Sequence, residues 1–242
     1  MDRKILLTAS VGSTNYNLVD ELSDYDYKQF VCPTFEDLYS KKMFSHAYTS
    51  NECDYTVHDI RKLPELLYKA NINFIEVLFA QKCEYDSELH WLFDNKQALA
   101  TMNLPYLYDA CIGMYYEKMK RLHTGTQTTK TLVEKYGYDT KQAMCAYRLL
   151  DFIIRMAENY FDFEESVIYK DGDPIKSILM NIKRGHFTES TFTAILEDRK
   201  RWALSYKDDF KSKHVNDSLL EELNGKILYI VKNNILKVGQ YE

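Results

Sequence analysis

The feature that most constrains this chain is a change of hydrophobic period near residue 85. Ahead of it lie short apolar runs, KILLTASV (4–11), YKQFVC (27–32) and CDYTV (53–57). Each ends near a polar or turn residue, which is the pattern of strands. Beyond it, apolar residues recur at spacings of three and four; over 105–122 these are Tyr108, Cys111, Ile112, Tyr115, Met119 and Leu122. That period belongs to amphipathic helices, expected over 87–100, 105–122, 139–160, 174–183, 188–210 and 216–236. In the front part, 58–70 reads as a helix that Pro64 would kink, and 72–80 as a second, shorter one. Strands mixed with helices, then helices alone, predict an α+β chain in two parts. Residues 1–85 form a small α/β domain and residues 86–242 a helical one.

Composition narrows the class. With 242 residues, 45% apolar and 28% charged, the chain has the make-up of a soluble globular protein with a sizeable core. No stretch approaches the ~18–20 apolar residues of a membrane helix. The apolar run in MDRKILLTASVG is too short for a signal peptide core, so a cytoplasmic location is expected. Cys32, Cys53, Cys83, Cys111 and Cys145 are scattered singly, which predicts free thiols in a reducing compartment. The six histidines are as dispersed, which argues against a structural zinc site. A net charge of −5 argues against a broad basic coat for nucleic acid, though not against a local basic pocket.

The segment GSTNYNLVDELSDYD (12–26) carries the candidate chemistry. If a strand runs through 25–31, Asp24 and Asp26 point to one side of it, roughly 7 Å apart at Cα. Two carboxylates so placed suit hard cations such as Mg²⁺, which takes carboxylate, water and phosphate oxygens. Lys28 falls on the same face, where it is expected to neutralise their charge or touch a nucleotide phosphate. Gly12 would end the first strand and let a ligand approach the backbone, while Ser13 supplies a hydroxyl. A helix beginning at Ser13–Leu18 would turn free N–H groups toward an anion. A phosphate cradle beside a metal site is the constellation of phosphoryl transfer. A third acid is expected from the next strand: Asp54, with Glu52 and Asp59 as neighbours of the same type.

These stretches resemble the DNA polymerase β-like nucleotidyltransferase superfamily, and most closely its predicted nucleotidyltransferase family associated with RNA repair. The resemblance rests on GSTNYNL, SDYDYKQFV, HDIRKLPELLYKANINFIEVLF and GYDTKQAMCAYRLL, with NIKRGHFT as a further short stretch, and runs from about residue 8 to about 190. The family usually has Gly where Asn17 stands and N-P-N where Asn71-Ile72-Asn73 stands. It often has His at the positions of Gln142 and Cys145. The resemblance implies a polymerase-β-like fold and transfer of an NMP from an NTP to an acceptor hydroxyl, with release of pyrophosphate. It implies a two-metal mechanism, with Asp24 and Asp26 bridging two Mg²⁺ or Mn²⁺ ions, Asp54 on the ion that activates the nucleophile, and phosphates held by Gly12 and Ser13. The acceptor implied is an RNA end such as tRNA; a protein or small-molecule hydroxyl fits the same chemistry.

In the expected helix over 139–160, Lys141, Arg148 and Arg155 are each seven residues apart, a basic column with a rise of about 10 Å per step. Lys141 and Arg148 lie in a family-like stretch and are expected to meet nucleotide phosphate or nucleic-acid backbone. Asp139 is expected to cap that helix, KMKRLH (118–123) to suit a helix C-terminus, and Trp91 and Trp202 to lie in the core. The rival reading is a non-catalytic nucleotide- or RNA-binding module on the same fold, with Asn17, Ile72, Gln142 and Cys145 as marks of lost turnover.

Overall fold

The computed structural model describes residues 3–21, 23–50 and 53–238, the side chain of Val238 excepted. Among the described residues five strands form one sheet: β1 (Ile5–Val11), β2 (Tyr25–Val31), β3 (Ser45–Ser50), β4 (Cys53–Asp59) and β5 (Cys83–Tyr85). Their order is β3-β4-β2-β1-β5. Only β2 and β4 run parallel; the other neighbours are antiparallel. The helices around and after the sheet are α1 (Phe35–Tyr39), α2 (Leu63–Tyr68), α3 (Ile72–Ile75), α4 (His90–Asp94) and α5 (Lys96–Thr101). Then follow α6 (Leu104–Lys120), α7 (Lys130–Tyr136), α8 (Thr140–Glu158), α9 (Phe163–Val167), α10 (Pro174–Lys183), α11 (Glu189–Ser205), α12 (Lys207–Lys211) and α13 (Asp217–Val238). The chain is α+β. Among the described residues no helix is long and apolar enough to cross a membrane.

Two compact units divide the chain: residues 1–103 with 215–242, and residues 104–214. Residues 86–103 and α13 thus group with the sheet, not with the helices to which their helical period assigned them. The reason is side-chain chemistry at both ends of α13. Tyr68 Oη donates to Asp217 at 2.7 Å, and Asn234 donates to Glu88 at 2.7 Å while accepting from Lys4 at 3.0 Å. Between them Leu219, Leu223, Ile227 and Ile230 are buried in a helical stripe.

The three expected strands are β1, β2 and β4; β3 and the three-residue β5 are additional. Pro64 does not kink a helix. It stands in the first turn of α2, where its missing N–H leaves nothing unsatisfied, and a 3₁₀ turn over Ile60–Lys62 precedes it. Residues 12–17 form turns rather than the expected short helix.

On one sheet face, Tyr27, Tyr55 and Tyr48 from β2, β4 and β3 stack in a row, with ring centroids 5.2 and 5.0 Å apart. Cross-strand aromatic pairs of this kind fix register. Tyr55 touches both neighbours. Tyr55→Ala should therefore lower the thermal midpoint by roughly 2–6 °C, as loss of about 1–1.5 kcal/mol implies, whereas Tyr55→Phe, which keeps both stacks, should leave it within about 1 °C; thermal melts of the three proteins check this.

Candidate functional site

The site is built on the sheet face opposite that tyrosine row. In the sheet register Asp26 of β2 pairs with Val11 of β1 on one side and with Asp54 of β4 on the other. Partners across a ladder point to the same face, so the two carboxylates stand side by side on strands about 4.8 Å apart. Asp54 accepts from Thr49 Oγ1 of β3 at 2.5 Å. Asp24 is exposed just ahead of β2.

The neighbouring acid Asp59 is a structural residue. It is buried, accepts from Arg61 Nε at 2.9 Å and Nη2 at 2.6 Å, and takes the Arg61 backbone N–H at 3.0 Å. Five residues beyond Asp54 along the strand, it also points to the other face. Glu52 lies outside the described residues.

Gly12 follows β1 with φ +70°, and a Cβ built on it would lie 2.8 Å from Asp26 Oδ2. Glycine is needed there twice over, for the left-handed backbone and for the space beside the carboxylate. The loop then curls back, with Tyr16 N–H donating to Gly12 O at 3.1 Å and Leu18 N–H to Ser13 O at 2.9 Å. Asn17 closes the curl at φ 60°. Asparagine is among the few non-glycine residues that tolerate that region, so its replacement of the family's usual Gly keeps the loop geometry. The same holds at Asn71-Ile72-Asn73. Asn71 caps α3 through Asn73 N–H, and Ile72 takes the first helical position, where proline is favoured but not required.

One residue of the site escaped the sequence reading. Glu76 is 2% exposed, and its Oε2 accepts from Gly12 N–H at 3.1 Å. The buried Asn15 donates to Glu76 O and accepts from Gln81 N–H, stitching the glycine loop to the segment after α3. Glu76 interrupts the mostly apolar run INFIEVLF. A carboxylate placed where helical period predicts core was the signal that would have found it.

Lys28 lies on the same face as Asp26, half-buried, its Nζ 5.3 Å from the centre of the Phe74 ring. Burial pushes its pKa down, against the pull of Glu76 and Asp26. Its expected placement beside the acids is what the structure has. Further along this face His58 packs edge-on against Phe74 at 5.1 Å, with Nδ1 3.3 Å from Ser45 Oγ. Burial, then Lys28 and Lys62, pushes its pKa down to about 4.

The helical unit holds the other expected contacts, and the basic column does not stand as one. Lys141 is exposed on α8. Arg148 is 6% exposed, and its charge bears on Cys111 and Tyr169 of its own unit. Arg155 donates to the carbonyls of Glu165, Ser166 and Ile168 and pairs with Asp173 at 2.8 Å. Three carbonyls at a loop outbid solvent for that guanidinium. Asp139 caps α8 through Gln142 N–H at 2.9 Å, as expected. Among the described residues the buried Gln142 Oε1 has no hydrogen-bond partner. Trp202 is not a core residue; it is 47% exposed beneath Arg199, where the guanidinium covers its face.

Among the described residues no group of three His, Cys, Asp or Glu side chains is placed to hold a metal ion. Asp26 and Asp54, paired in register beside a glycine that leaves room, do fit a hard cation that completes its shell with phosphate oxygens and water.

A strand ending in a left-handed glycine, followed by acids on two adjacent parallel strands, has the form of a nucleotidyltransferase-like site. The chain belongs to the RNA repair pathway DNA polymerase beta family, whose model matches residues 1–153, from β1 through most of α8. No curated protein matched it.

The His58 shift has a direction in pH. A folded-state pKa of about 4 against an ordinary value of 6.5 means the unfolded chain binds the proton first. Stability from this group is complete above about 6.5 and falls as pH drops toward 4. His58→Gln should reduce the fall in thermal midpoint between pH 7 and pH 4.5, measured by melts at both.

Proposed function

We propose that this protein is a metal-dependent nucleotidyltransferase that moves an NMP from an NTP to an acceptor hydroxyl, releasing pyrophosphate. The observation that carries the reading is the Asp26–Asp54 pair in the β2–β4 register, with Gly12 against Asp26. Asp26 and Asp54 would hold Mg²⁺ or Mn²⁺ with phosphate oxygens and water; Asp24, exposed just ahead of β2, would have to move toward them to join as a third ligand. Such an ion neutralises charge developing on the transferring phosphoryl group and favours the acceptor as its alkoxide.

The chain's own residues have separate tasks. The Gly12–Ser13 turn leaves space for a phosphate and offers the Ser13 hydroxyl to it. Lys28, kept beside Asp26, balances the carboxylates when no nucleotide is present. On the helical unit Lys141 is the cation we assign to phosphate or RNA backbone. The burial of Arg148 favours a structural role for it over phosphate binding. An RNA end is the acceptor that family membership supports.

The binding-module rival loses much of its ground. Asn17 and Ile72 keep the loop and the helix start, which supports a working site at those two of the four departures and leaves Gln142 and Cys145 to the test below.

The test is transfer of label from each α-³²P NTP, with Mg²⁺ or Mn²⁺, to RNA, protein or small-molecule pools. Label on RNA ends is expected. Asp26→Asn and Asp54→Asn should each lower transfer by roughly a thousandfold or more, and Gly12→Ala by about a hundredfold through displacement of Asp26. Nucleotide binding that persists without any transfer, in every pool and with either ion, would instead establish the binding module.

A further inference from the structure

The sheet-bearing unit has an apolar surface that the site does not use. A groove of about 460 Å³ lies between α1 and α13, lined by Phe35, Leu38, Pro64, Ile227, Leu228 and Ile235 among others. Large apolar side chains that line it face solvent: Leu228 on α13 is 70% exposed and Phe35 on α1 is 64% exposed, with Leu236 also exposed. A contiguous patch of this kind marks an interaction surface.

The outer face of α13 says what covers it. Glu221, Gly225, Leu228 and Lys232 follow at spacings of four, three and four, one stripe on the side away from the buried stripe. All four are exposed. Among the described residues a Cβ on Gly225 would meet nothing within 4 Å, so the stripe has a gap beside its one large knob. Now let a second α13 run antiparallel across it about a two-fold axis. The axis that sets Leu228 against Gly225 of the partner subunit also sets Glu221 against Lys232 of the partner subunit, because both pairs are centred on the same point between residues 226 and 227. Knob meets gap and acid meets base under one operator, as an isologous contact requires.

We propose that this protein forms a two-fold dimer through α13 and the α1–α13 groove. The self-complementary stripe favours a second copy over the other occupants of an apolar patch. An anionic membrane would be repelled by the half of α13 that carries Asp217, Glu221 and Glu222. A foreign amphipathic helix would have no reason to match the Glu221–Gly225–Leu228–Lys232 spacing.

The test is the mass of the full chain in solution, by light scattering and sedimentation between about 1 and 100 µM. The expected result is twice the chain mass of 28.6 kDa at the upper end. Leu228→Glu should raise the dimer dissociation constant by about tenfold or more. Gly225→Gln should do the same while stabilising the helix itself, so that loss of dimer is not loss of fold. Glu221→Lys should weaken the dimer, and adding Lys232→Glu should restore it. A single-chain mass at every concentration overturns the proposal. So does a dimer that Leu228→Glu and Gly225→Gln leave intact, or a monomer that instead sediments with anionic vesicles.

Discussion

Everything at the candidate site depends on the parallel register of β2 against β4. It is this pairing that brings Asp26 beside Asp54, residues 28 positions apart in sequence. A slip of one residue would send one carboxylate to the far face, where the tyrosines stand. The two faces therefore do linked work. The Tyr27–Tyr55–Tyr48 row on one side resists the slip that would take apart the acid pair on the other. Two carboxylates on neighbouring strands repel each other without a counter-charge, and stacking is one of the interactions that holds them in place.

The second constraint is the glycine loop. Gly12 is pressed against Asp26 by its own backbone conformation and is held from behind by Glu76. Asn15 ties the same loop to Glu76 O and Gln81 N–H. The segment after α3 thus sets the loop, and the loop limits where Asp26 can go. This chain of contacts gives the INFIEVLF stretch a part in the site although it offers no residue to a ligand by itself. Lys28 and Glu76 place opposite charges near the acids on a half-buried face, where electrostatic effects are stronger than in water.

Much of this was legible in the sequence. Period-two runs gave β1, β2 and β4, and strand parity gave the shared face of Asp26 and Lys28, whereas Asp24, which the D-x-D spacing set on that face too, lies just ahead of β2. The Asp54–Asp26 juxtaposition was expected as one choice among three, and strand parity together with the Arg61 contact removes Asp59. What the sequence concealed has physical causes. Edge strand β3, SHAYTS, is exposed throughout and so carries no core pattern. The return of α13 to the sheet depends on long-range contacts from Lys4, Tyr68 and Glu88, which no local period encodes. The Lys141–Arg148–Arg155 column looked uniform because spacing records direction around a helix and not what packs there. Carbonyls of residues 165, 166 and 168 claim Arg155, and the helical core encloses Arg148.

Asp26 and Asp54 are proposed to act as one cation-dependent nucleotide site. The most direct test is calorimetric titration of a non-transferable NTP analogue into the protein with Mg²⁺ and with EDTA, repeated on Asp26→Asn, Asp54→Asn and the double variant. Binding that needs the ion, and that either change weakens about tenfold or more, is the expected result. The double variant should lose little beyond either single one, since one shared ion is removed in each case. Binding of equal strength in EDTA, or an Asp54→Asn protein that binds as the parent does, would contradict it.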